Sequence, residues 1–110
     1  TADQLKSQLE QVLDRPCVVA APESKKEIRT LGIVTGGANR EWRTAHKEKL
    51  DAFCTGEISE YDWHESRESG IFFFAGGHHA TEKFGIQTLM RLINEKYPVE
   101  CNFFDSENPV

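Results

Sequence analysis

Ile71-Phe72-Phe73-Phe74-Ala75-Gly76-Gly77-His78-His79-Ala80-Thr81-Glu82 is the stretch on which the reading of this chain turns. A short unbroken apolar run reads as a buried strand, the glycine pair ends it, and imidazoles and a carboxylate follow at the entrance to a helix. In a helix beginning at Ala80, residues four apart share a face with Cβ atoms about 5–6 Å apart. His78 and Glu82 are thereby placed to reach one ion or two adjacent ions. His79 points elsewhere, yet its three-residue spacing to Glu82 makes it a competing ligand. A helix N-terminus also offers free N–H groups and partial positive charge, which suit an anionic ligand or a metal-bound hydroxide better than a bare cation. A lone His-x-x-x-Glu pair is as often a solvated pair as a site, so its surroundings decide.

Two further apolar runs end in turns that carry chemistry. Leu31-Gly32-Ile33-Val34-Thr35 leads into Gly36-Gly37-Ala38, and Ala52-Phe53-Cys54-Thr55 leads into Gly56-Glu57 and, past a polar stretch, His64. In open α/β sheets the carboxyl ends of neighbouring strands converge where such folds bind ligands. Thr35, Thr55-Gly56 and Gly77-His78 are therefore expected to open onto one cleft. Thr35-Gly36-Gly37-Ala38 suits a phosphate or a substrate edge through its backbone N–H groups. It lacks both Gly-x-Gly-x-x-Gly and the Walker pattern, and reads equally as a tight turn that needs glycine. His64 alone reads as a surface or interface histidine, and Glu57 either holds its loop or serves the site.

These segments, in this order, resemble the C-terminal half of the YbgI-like (Nif-three-like) dinuclear metal centre family, whose members are called GTP cyclohydrolase 1 type 2 homologues. The resemblance rests on Gly77-His78-His79-Ala80-Thr81-Glu82, on Cys54-Thr55-Gly56-Glu57-Ile58-Ser59-Glu60 with His64-Glu65-Ser66-Arg67-Glu68-Ser69-Gly70, and on Thr35-Gly36-Gly37. Phe103-Phe104-Asp105 with Asn108-Pro109 looks like the family's closing strand and tail. The resemblance implies that His78 and Glu82 are metal ligands, that Thr35, Gly36, Gly37 and His64 bind substrate, and that His64 orients substrate or passes a proton near neutral pH. It implies divalent ions, two in the complete family site, with zinc, iron or manganese suited to the donors. Proteins resembling this chain are about twice as long and take further histidines and an aspartate from an N-terminal half without a counterpart here. They form ring-like homo-oligomers.

The implied activity is metal-dependent hydrolysis, in which a bridged water becomes hydroxide and attacks carbon or phosphorus; for a GTP cyclohydrolase the target is the guanine imidazole carbon. Catalytic residues are not named by the resemblance. The alternatives are a metal-binding or metal-delivery protein without turnover, and a protein-interaction or assembly domain. A nucleotide or another small anion is the expected substrate, and the absent N-terminal half and further copies of the chain are the expected partners.

The 110 residues suit a single α/β domain, a mixed sheet flanked by helices, with one core. The chain begins at Thr1 without an initiator Met or a signal-peptide core, which the resemblance reads as a fragment. A formal charge of −5 with dispersed basic residues argues against a nucleic-acid face. No apolar run approaches the roughly 18 residues of a membrane span. Cys17, Cys54 and Cys101, each expected in a strand, read as reduced core thiols, and a cytoplasmic setting follows.

Periodicity predicts a helix over Ala2–Leu13, then a strand at Cys17–Ala21. After the polar Pro22–Lys26 connection, a second strand near Ile28–Thr35 is expected to pair antiparallel with the first. Asn39 is expected to cap a helix to about Leu50 that buries Trp42 and Ala45 and leaves His46 at the surface, with Lys49 in the same register. Ser59 and Gly70 should bound the next helix. A last helix over Ala80–Tyr97 should bury Phe84, Ile86, Met90, Ile93 and Tyr97, with Pro98 stopping it and Val99–Phe104 closing the sheet.

Overall fold

The computed structural model describes residues 1–23 and 27–109. The expected Pro22–Lys26 connection falls partly outside them, at 24–26. Four strands, β1 (Val18–Ala20), β2 (Leu31–Ile33), β3 (Ala52–Thr55) and β4 (Phe72–Ala75), lie in the order β1-β4-β3-β2. β2, β3 and β4 are parallel, with Ile33 beside Cys54 and Cys54 beside Phe74, and β1 runs antiparallel to β4. The sheet is mixed, as expected.

Every residue of β3 and β4 is buried, as a parallel strand covered on both faces requires. The alternation of side chains sorts them into two layers. Phe53 and Phe73 meet edge to face at 5.3 Å and pack with Trp42, Ala45, Ile71 and Trp63. Cys54, Phe72 and Phe74 point the other way, against Leu5 and Leu9 of α1 (Ala2–Leu13). Helix α1 has its predicted bounds because Thr1 and Gln4 form a capping box and Asp14 turns left-handed at φ 54°. Helix α2 (Trp42–Lys47) and helix α3 (Glu60–Ser69) lie on the Phe53 face. Ser59 caps α3 and Gly70 closes it at φ 79°, as the sequence indicated.

Several expectations fail for identifiable reasons. The first two strands do not pair; they occupy opposite edges of the sheet. Phe72-Phe73-Phe74 is apolar on both faces and so must be central, β1 takes its open flank, and β2 falls beside β3. The second strand is only Leu31–Ile33, not Ile28–Thr35. Asn39 does not cap a helix: residues Asn39–Glu41 form a 3-10 turn, and the Asn39 amide instead donates to Asp62 Oδ2 at 3.1 Å. Helix α2 stops at Lys47, short of Leu50, because Lys49 turns back at φ 59°.

The last helix, α4 (His78–Lys96), starts two residues before Ala80, directly after Gly77. Its buried residues are Ala80 and Thr81, both in the first turns beside the strand ends, while Phe84, Ile86 and Tyr97 are exposed. Met90 and Ile93 are half-buried. Val99–Phe104 forms no strand; beyond Pro98 the chain returns along α4, with the Cys101 N–H on Asn94 Oδ1 at 3.0 Å and Phe104 exposed. Cys101 is therefore half-buried outside any strand; Cys17, just before β1 rather than in it, and Cys54, in β3, are buried. Burial pushes the Cys54 thiol up to about 11, so it stays protonated near neutrality. Among the described residues no helix is long and apolar enough to cross a membrane.

Asp62, fully buried on α3, ties the β2–α2 connection to the rest of the molecule. It accepts hydrogen bonds from Ser59 Oγ at 2.5 Å, Trp42 Nε1 at 2.8 Å, Arg43 at 2.8 Å and the Asn39 amide. Burial alone would raise its pKa, but the bonds from Ser59, Trp42, Arg43 and Asn39 outweigh that and hold it below the usual carboxylate value. A depressed carboxylate pKa contributes stability that is present above the ordinary value of 3.8 and is lost as pH falls through the lowered one. Asp62→Ala strands these donors and is expected to lower the urea-unfolding free energy by about 3 kcal/mol. A loss below about 1 kcal/mol, the range of an exposed pair, would show that the network holds nothing in place.

Candidate metal centre

Because β2, β3 and β4 are parallel, their carboxyl ends lie side by side, and backbone hydrogen bonds carry the pairing beyond the last strand residues. The Gly56 N–H donates to Gly36 O at 2.9 Å, the Gly76 N–H to Thr55 O at 2.9 Å, and the Gly77 N–H to Gly56 O at 2.8 Å. Hydroxyls complete the seam: Thr55 Oγ1 donates to Gly36 O at 2.9 Å, while Thr81 Oγ1 accepts the Gly36 N–H at 3.0 Å and donates to His78 O at 3.0 Å. The three turns thus meet at one place, as expected, with Thr35 exposed just before the first.

Two of these glycines are dictated by close approach. Gly36 sits at φ 74°, and a Cβ there would run into the Glu82 carboxylate and come within 3.2 Å of His78 Nε2. A Cβ on Gly56 would lie 2.8 Å from the His78 amide nitrogen. The turn expected to face substrate is packed directly against the expected ligands.

His78 is held from both sides. Its Nδ1 lies 2.5 Å from Glu57 Oε1, and its Nε2 lies 3.3 Å from Glu82 Oε2, one helical turn on. Helix α4 already includes His78, so the four-residue spacing holds even though the helix starts earlier than predicted. The Glu57 hydrogen bond raises the His78 pKa above the usual histidine value; partial loss of water opposes it, and the charge of Glu82 adds to the rise. Glu57, left open between loop support and site service, is the partner that orients His78.

With Nδ1 on Glu57, Nε2 is turned toward the Glu82 carboxylate, the carboxylate–histidine arrangement that orients metal-binding imidazoles. This donor chemistry fits a divalent ion but supplies two ligands of the usual three or four. Among the described residues no group of three or more His, Cys, Asp and Glu is arranged to hold an ion.

The remaining expected site residues lie differently. His79 Nε2 is 2.7 Å from Asp105 Oδ1, in a groove of about 340 Å³ formed by Leu13–Pro16, Lys83 and residues 105–109. His64 is exposed, meets the Trp63 ring edge-on at 4.9 Å and lines a groove with Pro22, Glu23 and Arg67. The seam residue that sequence reasoning overlooked is Thr81, for which the signal was a hydroxyl in the first turn of the helix, three residues after His78.

Helices on both faces of a mainly parallel sheet, with polar side chains gathered at the carboxyl ends of its strands, define an α/β domain with a strand-end site. The chain belongs to the Duf34/NIF3 (NGG1p interacting factor 3) family, whose model matches residues 1–109. It is 43% identical over 109 residues to the GTP cyclohydrolase 1 type 2 homolog of Pasteurella multocida, covering 99% of this chain and 43% of that one. It is 40% identical to the homolog of Vibrio cholerae over 111 residues, covering 100% of this chain and 44% of the relative. The solved structure of protein ybgI, of unknown function, superposes with a TM-score of 0.92 at 36% identity over 97% of this chain and 43% of that one. The chain therefore spans less than half the length of these relatives.

Substitution tests the seam. Gly36→Ala puts an alanine in a left-handed conformation beside the Glu82 carboxylate and is expected to cost about 1–3 kcal/mol in urea unfolding. Gly85→Ala, on a stretch of α4 with open space around it, is the control and should stabilise by about 0.5–1 kcal/mol. Equal effects of the two would show that Gly36 is not packed as described.

Proposed function

We propose that this chain supplies His78 and Glu82 to a divalent metal site that serves hydrolysis in a NIF3-family protein, with the other ligands coming from outside the chain. The observation that carries this is the pair of contacts on one imidazole: Glu57 on Nδ1, and Glu82 facing Nε2. The names of the GTP cyclohydrolase 1 type 2 homologs support the hydrolytic class and a nucleotide or similar anion as substrate. A divalent ion bound there supplies Lewis acidity and lowers the pKa of its water.

The chain's own residues do the rest. Glu57 orients the ring, His78 Nε2 and Glu82 present the donors, and the Gly36-Gly37 turn, held by Thr81 and Thr55, packs against them and fixes their position. His64 lines a separate groove with Pro22, Glu23 and Gly70, toward the amino end of β4, and has no part in this reading.

The same contacts set the pH dependence. The raised His78 pKa means that the free site keeps its proton above the ordinary value of 6.5, and an ion must displace it. Affinity is weakest below that value and grows as pH rises through the raised pKa. Titration of the chain with zinc or manganese by calorimetry is expected to show weak binding of at most one ion, abolished by His78→Ala, largely unaffected by His79→Ala, and stronger at higher pH. Tight binding of two ions by this chain would contradict the shared ligand set. In a complete NIF3-family protein carrying these residues, nucleotide hydrolysis insensitive to chelators would refute the hydrolytic reading, and stable metal without turnover would favour metal delivery.

A further inference from the structure

Of the 19 residues of α4 only Ala80 and Thr81 are buried, and the domain is elongated, 52 × 26 × 24 Å. Beyond its first turns the helix carries an apolar stripe in the open, with Ile86, Leu89 and Leu92 about half exposed. Ile86, Leu89 and the half-buried Ile93 stand four, seven and eleven residues beyond Glu82, the spacing of one helical face. The stripe therefore runs in line from the Glu82 carboxylate. Gly85 lies along it, and a Cβ built there meets nothing within 4 Å, which leaves room for another chain to approach the helix backbone. The segment after Pro98 covers a different side of α4, marked by Lys83 and Asn94, which it meets through Asp105 and the Cys101 N–H. That segment is itself an unfinished element. Cys101 and Phe103 are half-buried while Glu100, Asn102 and Phe104 are exposed, the alternation of a strand with one face covered, yet among the described residues it pairs with no strand.

We propose that the open face of α4 is the surface on which the part of a NIF3-family protein outside this chain docks, and that a second sheet in that part forms the cover. The chain spans 43% of its Pasteurella multocida relative, so more than half of such a protein lies outside it. A contiguous exposed apolar stripe marks an interaction surface, and a helix with one such stripe is buried against a sheet or against another helix. The segment beside α4 decides between the two. It has the alternation of a strand and no place in the sheet of this domain, so a cover that offers a face to the stripe and an edge to the segment satisfies both. The inference rests on the metal reading for one point only. A cover seated on Ile86 and Leu89 comes up against Glu82, where ligands beyond His78 and Glu82 are needed to complete the usual three or four.

The test compares this chain with a complete NIF3-family protein carrying these residues, both held in chelator so that metal plays no part. Hydrogen exchange read by mass spectrometry, taken relative to β4, is expected to be at least about tenfold slower over residues 84–97 and 99–104 in the complete protein than in this chain. The substitution Leu89→p-benzoylphenylalanine then identifies the cover, with photo-cross-links expected to peptides from outside this chain's sequence. Leu89→Arg should leave the urea midpoint of this chain unchanged and lower that of the complete protein. Equal exchange over 84–97 in the two proteins overturns the proposal, as does an equal effect of Leu89→Arg on both. Cross-links between two copies of residues 84–97 overturn it by assigning the face to a second copy. Slow exchange over 84–97 with 99–104 still fast overturns the sheet as the cover. Zinc binding at His78 and Glu82 is read separately, by calorimetry on this chain, so a failure of docking leaves the metal reading standing and a failure of zinc binding leaves the docking face standing.

Discussion

The hydrogen bonds that continue the parallel ladder past the strand ends are the constraint on which this site depends. Gly36 O receives both the Gly56 N–H and the Thr55 hydroxyl, and Gly56 O receives the Gly77 N–H. Each turn is therefore located relative to the next by backbone rather than by long side chains, which costs little conformational entropy at the point of use. Thr81 then ties the β2 turn to α4 by accepting the Gly36 N–H and donating to His78 O. The position of His78 follows from the sheet itself.

That rigidity explains why the glycines cluster here. A Cβ at Gly56 would meet the backbone of His78 and Gly36, and Gly36 takes a left-handed φ of 74°, so the Gly-rich turns answer first to turn geometry and backbone packing against His78. Their backbone groups serve a ligand only as a consequence. Asp62 does the corresponding work on the outer side, holding Asn39, Trp42 and Arg43 and with them the segment that leaves the Gly36-Gly37 turn.

The parts legible in the sequence were those governed by local rules. Three apolar runs ending in glycine located three strand ends, and their convergence followed from parallel topology. Ser59 and Gly70 marked helix ends because caps are written in single residues. Strand pairing was not legible, since β1 and β2 are neighbours only in sequence and a run apolar on both faces captures whichever strand is free. The apolar residues of α4 were misread as core because periodicity reports an apolar stripe without saying what covers it. At the site, His78 and Glu82 were visible as a spacing, whereas Glu57 and Asp105 act across 21 and 26 residues respectively, distances that no local pattern records.

The central claim is that Glu57 holds His78 Nδ1 so that Nε2 and Glu82 receive a divalent ion at the seam of the three turns. A crystal structure of this chain grown with zinc, with the ion located by its anomalous scattering, tests it most directly. Zinc is expected within bonding distance of His78 Nε2 and a Glu82 oxygen, with Glu57 still on Nδ1. Zinc bound through His78 Nδ1 with Glu57 displaced, or seated on His79 or His64 instead, would contradict it.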